Sequence, residues 1–263
     1  MRTFTVNLST LFTEVPLIER FALAADHGFT QVEIQFPYEL DKTAIKQQLE
    51  QYKLSLRLIN LPRTDDGQLG TACNPQTREE FARALTLAAE YANFLGVKKI
   101  NCLSGLQPKH LSHSAATSTL IDNLRFAANY LAPFGITLLI EAINTQDIPG
   151  FFLNNSALAQ RIIETANCDN LKFQYDVYHM QIMEGNLTQR IEQMLPLIGH
   201  IQIADVPGRG EPGSGEINYP NLLNAIKLMG YTGDISLEYF PRHSTKSGLA
   251  QLEPLLRSKG DKT

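Results

Sequence analysis

Short apolar runs alternate with longer stretches of helical periodicity from one end of the chain to the other. The first strand-like run covers residues 4–8. A helix follows over about 13–28, where Thr13, Pro16 and Glu19 suit a start and His27-Gly28 an end. The pattern then predicts strands at 32–36, 54–59 and 98–103, each followed by a helix, at about 42–52, 76–95 and 114–131. The second half repeats the scheme. Strands at 137–141, 171–176, 200–205 and 234–239 precede helical stretches at 156–166, up to about 195, 219–229 and 246–258. Strands that alternate with helices belong to a parallel sheet, and eight such units predict a closed barrel. The expected fold is therefore α/β, a single (β/α)8 TIM barrel over residues 1–263, with no linker or low-complexity block to divide it.

Side chains along a strand alternate between faces. Leu138 and Ile140, Phe173 and Tyr175, Ile201 and Ile203, and Ile235 and Leu237 form the apolar sets that pack under the helices. The opposite sets face the barrel interior and contain Glu141, Asp176, Gln202 and Glu238. Successive members lie about one βα unit of roughly 30 residues apart, so the four converge at one level of the barrel mouth, where barrel enzymes place their chemistry. Three carboxylates buried together require compensation. A divalent cation supplies it, and oxygen-only donors fit a hard ion such as Mg²⁺ or Mn²⁺.

Composition narrows the partners. Apolar residues make up 43% of the chain and the formal net charge is −4, which argues against a nucleic-acid partner, because phosphate binding favours a basic face. The three cysteines are widely spaced, without a CxxC pair, so reduced thiols are expected rather than a disulfide framework. The N-terminus lacks a continuous apolar stretch of signal-peptide type, and no apolar run approaches the roughly 20 residues that span a bilayer. A cytoplasmic protein acting on a small molecule, without a membrane partner, is expected; a homo-oligomer is compatible with the sequence.

Several weaker signals count for less. The glycine-rich segment at 207–216 lacks the strand–turn–helix setting of a dinucleotide site and reads as a lid or a plain surface loop. His110 and His113 sit among Lys and Ser in a solvated connection. Asn7 and Asn60 lie at strand ends within reach of a substrate, but a strand-end Asn more commonly serves backbone groups. Ser104-Gly105 has no GxSxG frame.

Longer strings carry a resemblance. They are NLSTLFTEVPLIERF at 7–21, FPYE at 36–39, IDNLRFAA at 121–128, LLIEAIN at 138–144, QYDVYHMQ at 174–181, GNLT at 185–188, HIQIAD at 200–205, GEINYP at 215–220 and LEYFPR at 237–242. Over nearly its whole length the chain resembles the hydroxypyruvate isomerases, a branch that includes 2-oxo-tetronate isomerases, within the xylose-isomerase-like barrels. The resemblance implies that Glu141 and Glu238 are the catalytic pair and also metal ligands. Asp176 and Gln202 would complete the metal site, and His179 and Arg209 would contact a sugar-acid substrate. Many epimerases of the superfamily carry His where this chain has Gln202, which favours the isomerase branch. On this reading the enzyme isomerises a small sugar acid through an enediolate, with the two glutamates relaying the proton. A ketose 3-epimerase or keto-inositol dehydratase would use similar residues. A DNA-repair endonuclease would require more metal-ligating histidines than a chain with six His offers. A non-catalytic sugar-binding barrel would have no need of four interior polar ligands.

Overall fold

The computed structural model describes residues 4–64 and 66–256. Its strands are β1 (Phe4–Asn7), β2 (Gln31–Glu33), β3 (Ser55–Leu56), β4 (Ile59–Asn60), β5 (Lys99–Cys102), β6 (Thr137–Glu141), β7 (Leu171–Asp176), β8 (Ile198–Ile203) and β9 (Ile235–Leu237). All pairings are parallel, in the order β3-β2-β1-β9-β8-β7-β6-β5-β4. The two ends of this sheet, β3 and β4, are consecutive pieces of one extended segment. On one side Arg57 N donates to Val32 O at 2.8 Å and Asn60 N to Gln35 O at 2.8 Å. On the other, Leu61 N donates to Asn101 O at 2.8 Å. The segment thus hydrogen-bonds to β2 and β5 at once, and the sheet closes on itself. The strand expected at 54–59 is split where it passes from one neighbour to the other.

The helices lie outside the sheet: α1 (Leu17–Asp26), α2 (Lys42–Gln51), α3 (Arg78–Leu95), α4 (His113–Leu131), α5 (Ser156–Ala166), α6 (Val177–Met183), α7 (Leu187–Met194), α8 (Tyr219–Leu228) and α9 (Thr245–Leu256). Several starts are written as side-chain caps. Asp41, Ser112, Asn155 and Asn218 each accept a backbone N–H of the first turn, which satisfies a donor that has no partner inside the helix. One helix was expected between β7 and β8, but two form. Asn186 adopts a left-handed φ of 49°, and that conformation ends one helix and starts the next at a new angle. The end expected for the last helix, near residue 258, lies outside the described residues. Among the described residues, no helix is long and apolar enough to cross a membrane.

The outward-facing strand residues behave as the alternation predicts. Val6, Ile140, Phe173, Ile201 and Leu237 are all fully buried beneath the helices. The inward-facing set is largely polar, buried or half-buried, and its hydrogen bonds arrange it in three tiers. At the floor, Lys99 Nζ donates to Asp234 Oδ2 at 2.6 Å, and Arg57 joins the same carboxylate at 3.2 Å. In the middle, His200 Nε2 meets Glu33 Oε2 at 2.9 Å. At the mouth stand the carboxylates singled out from the strand pattern.

Candidate active site

The mouth is assembled from strand ends. Glu141 ends β6 and Asp176 ends β7, while Glu238 directly follows β9. All three are at most 5% exposed. Asp176 does two jobs at a strand-to-helix junction. Its Oδ1 caps α6 by accepting the Tyr178 N–H at 2.8 Å and the His179 N–H at 3.4 Å. That capped first turn brings His179 back over the strand end, three residues on. His179 Nε2 then lies 3.5 Å from Asp176 Oδ2 and 3.9 Å from Glu141 Oε1.

Arg209 reaches the same point from the loop after β8. One of its terminal nitrogens donates to Asp176 Oδ2 at 2.9 Å and to Glu238 Oε2 at 2.5 Å. Its guanidinium also stacks against Tyr178, 5.3 Å from the ring centroid. The loop that carries it is pinned rather than loose. Asp205 accepts N–H groups from Val206 at 2.8 Å, Gly213 at 2.6 Å and Ile217 at 3.1 Å, and Phe240 N donates to Arg209 O at 2.8 Å. Arg209 itself holds a left-handed φ of 54°, a conformation disfavoured for any residue with a Cβ. At Gly215, a Cβ would collide with the Val206 carbonyl and stand 2.7 Å from Asp205 Oδ1, so only glycine fits where the loop passes its own anchor.

The structure brings Glu141, Asp176, Glu238, His179 and Arg209 together. Gln202 is joined to them through an amide chain. Gln174 Nε2 donates to Glu141 Oε2 at 2.9 Å and to Gln202 Oε1 at 2.7 Å, and Gln202 Nε2 donates down to Glu33 Oε1 at 2.8 Å. Further residues support the site without having been singled out for it. Asn7, set aside as a strand-end asparagine, donates to Glu33 Oε1 at 2.8 Å and Glu238 Oε1 at 2.7 Å. Gln35 Nε2 donates to Glu238 Oε1 at 2.6 Å, and Asn101 Nδ2 to Glu141 Oε2 at 2.7 Å. Asn7, Glu33 and Asn101 share the inward parity of the four converging residues, and that parity was the signal available for finding them.

Electrostatics follow from three carboxylates sharing one guanidinium. Burial, with Asp176 and Glu238 nearby, pushes the Glu141 carboxyl well above the usual range. Burial pushes Glu238 up to about 8 against the pull of Arg209. Asp176 is raised by burial as well, again opposed by Arg209. His179 is driven well below the usual imidazole range by burial and by the nearby Arg209 charge, so its ring is neutral. Burial works against the charge of Arg209, yet Glu238 and Asp176 more than offset it and hold the group protonated.

A divalent cation fits this donor set. The carboxylates carry more negative charge than Arg209 neutralises, and carboxylate oxygens of Glu141 and Asp176 lie within 4.8 Å of one another. Beside them, Gln174 Oε1 and Asn101 Oδ1 are buried without a hydrogen-bond partner. Hard oxygen donors around a buried negative charge are what a small divalent ion requires.

Fold and site together define a TIM-barrel enzyme with a buried, acidic mouth. The model of the xylose isomerase-like TIM barrel family matches residues 21–257, and the chain belongs to that family. It is 47% identical to hydroxypyruvate isomerase of Escherichia coli (strain K12), over 97% of this chain and 99% of that one. It is 41% identical to 2-oxo-tetronate isomerase of Cupriavidus necator, with the same shares covered. A crystal structure described as AP endonuclease, family 2 from Brucella melitensis superposes with a TM-score of 0.93 at 42% identity, covering 97% of this chain and 99% of that one. The full-length curated relatives place the chain among isomerases.

Proposed function

We propose that the protein isomerises a small 2-oxo acid bearing a neighbouring hydroxyl, of the hydroxypyruvate or 2-oxo-tetronate type, by moving the carbonyl one carbon along the chain. The observation that carries this is the meeting of Glu141, Asp176 and Glu238, all buried, with a single guanidinium at the barrel mouth. The relatives' activities supply the substrate class.

Isomerisation takes a proton from one carbon and returns one to its neighbour, through an enediolate. Glu141 and Glu238 are assigned as the base and acid of that relay. Burial raises the proton affinity of both carboxyls, the direction that suits a group meant to hold and pass on a proton. Glu141, Asp176, Gln202 and Glu238 would hold a divalent ion, Mg²⁺ or Mn²⁺. When bound, such an ion supplies Lewis-acid stabilisation for the negative oxygen of the intermediate. Arg209 is assigned to the substrate carboxylate, which a guanidinium fork can grip through two N–H groups. In this structure Arg209 rests on Asp176 and Glu238, so substrate binding would exchange those contacts for the carboxylate. His179, neutral and facing the carboxylates, is assigned to a substrate oxygen, where it helps move the hydroxyl proton.

The test is to load the protein with Mg²⁺ or Mn²⁺ and measure kcat/KM for hydroxypyruvate and for a 2-oxo-tetronate, following products by proton NMR. Movement of the carbonyl is expected for at least one of them. Inversion of a carbon centre without carbonyl movement would favour an epimerase, loss of water would favour a dehydratase, and either would overturn the isomerase reading.

A further inference from the structure

His179 can serve the site in two incompatible ways. As a metal ligand it must present an Nε2 lone pair to the carboxylate cluster; as a hydrogen-bond donor it must present an Nε2 proton. The decision is made on the other side of the ring. Nδ1 faces Asn144, whose backbone N lies 3.3 Å away and whose side-chain Nδ2 lies 2.7 Å away. The backbone nitrogen can only donate. The amide is also fixed in orientation, because Asn144 Oδ1 already accepts the N–H groups of Gln146 at 3.0 Å and Asp147 at 2.8 Å. The NH₂ end is therefore the one at the ring, and its second hydrogen goes to Asp147 Oδ2 at 2.9 Å, which also accepts the Tyr178 hydroxyl at 2.9 Å. Asn144 is fully buried and His179 is 2% exposed, so water does not compete for these positions.

Two donors aimed at Nδ1 require a lone pair there, and a neutral ring then carries its proton on Nε2. Metal-bound histidines show the reverse pattern, with the distant ring nitrogen donating to an acceptor. Here, among the described residues, no acceptor stands opposite Nδ1. We propose that Asn144, held by Asp147 and Tyr178, is a positioning residue that fixes His179 as the Nε2–H tautomer, which keeps His179 out of the metal shell and makes it a hydrogen-bond donor to a substrate oxygen. This rests on the isomerase reading for the identity of that oxygen, but the tautomer itself does not.

Long-range proton–nitrogen NMR of the ¹⁵N-histidine-labelled, Mg²⁺-loaded full chain tests it, with the His179 signals assigned by their loss in His179→Gln. An unprotonated Nδ1 and a protonated Nε2 are expected. Asn144→Asp puts an acceptor where a donor stood and should shift the proton toward Nδ1. Its kcat should fall about 10²-fold, the scale of a lost proton-transfer group, while Mg²⁺ affinity measured by calorimetry is kept or tightened. Asn144→Ala retains the backbone donor and should lose less. His179→Gln should leave Mg²⁺ affinity within about threefold. A protonated Nδ1 in the unmodified chain, or loss of Mg²⁺ binding in a folded His179→Gln protein, overturns the proposal. Protonated Nδ1 with normal isomerase turnover would defeat the tautomer alone. Protonated Nε2 without turnover of any 2-oxo acid would defeat the isomerase reading alone.

Discussion

The two ends of the barrel interior handle buried charge in opposite ways. At the floor, one carboxylate, Asp234, meets two cations, Lys99 and Arg57. Burial would raise its pKa, but those cations and nearby His200 overcome burial and hold it below the usual range. At the mouth, Glu141, Asp176 and Glu238 share one cation, and burial raises all three. The floor is closed electrostatically and reads as a structural plug. The mouth is short of positive charge, and such a deficit can be met by a divalent ion, by protons on the carboxyls, or by both. The proposed ion site and the proposed pair of proton-transfer groups would thus arise from one arrangement.

The sharpest way to break this contrast is to remove a mouth carboxylate while keeping its shape. In metal-replete protein, Glu141→Gln or Glu238→Gln should lower kcat by about 10²–10⁴-fold. Because both serve one relay, the double variant should lose little beyond the worse single one. Near-normal turnover in either, with metal content confirmed, would end the pair assignment. Next in size is Arg209→Ala. Loss of a charge-assisted contact of roughly 1.5–3 kcal/mol should raise KM for a carboxylate substrate far more than for an uncharged ketose. Equal increases for the two substrates would show that Arg209 does not read the carboxylate. The smallest effect concerns stability against pH in metal-free protein. Glu238 binds its proton more tightly folded than unfolded, so its contribution is present below about pH 4.5 and lost as pH rises through about 8. Asp234 is lowered, so its contribution is present above its unfolded pKa and lost as pH falls through the folded one. Thermal melts should therefore show Glu238→Gln flattening the fall in Tm between pH 5 and 8, and Asp234→Asn lowering Tm near neutrality, a loss of about 1 kcal/mol of stability, with kcat unchanged. Matching pH profiles for the two variants would erase the distinction between the ends.

Much of this was legible in the chain because strands of a parallel barrel carry a strong two-residue alternation. The strands Thr137–Glu141 and Leu171–Asp176 and the helix Ser156–Ala166 form as the pattern indicates. Glu141, Asp176 and Glu238 converge as their shared parity implies. The same parity marked Asn7, Glu33 and Asn101, but β1, β2 and β5 are short, and an asparagine at a strand end has a common local use that hides a long-range one. Arg209 was harder. No periodicity governs the loop after β8, and an arginine among glycines and prolines is ordinarily solvated. Its burial depends on Asp205 folding that loop inward, a contact set by three backbone N–H groups that leave no trace in side-chain pattern. The same contacts tie residues 207–216 at both ends to a buried carboxylate. The tautomer of His179 depends on Asn144, 35 residues away, and only the closed barrel brings the two together.

The anchoring of that loop bears on how such a barrel can change its substrate over evolutionary time. The residues that shape its path, Asp205 and Gly215, act through backbone groups and close approach, whereas the side chains of Pro207 and Glu216 are exposed and take no share in the Asp205 clasp. Sequence drift can therefore recolour those exposed positions while the clasp holds the backbone that carries Arg209 to the carboxylates. On the proposed assignment of Arg209, recognition of the acid group becomes the inherited part of specificity, and the reach of the pocket along the rest of the molecule becomes the variable part.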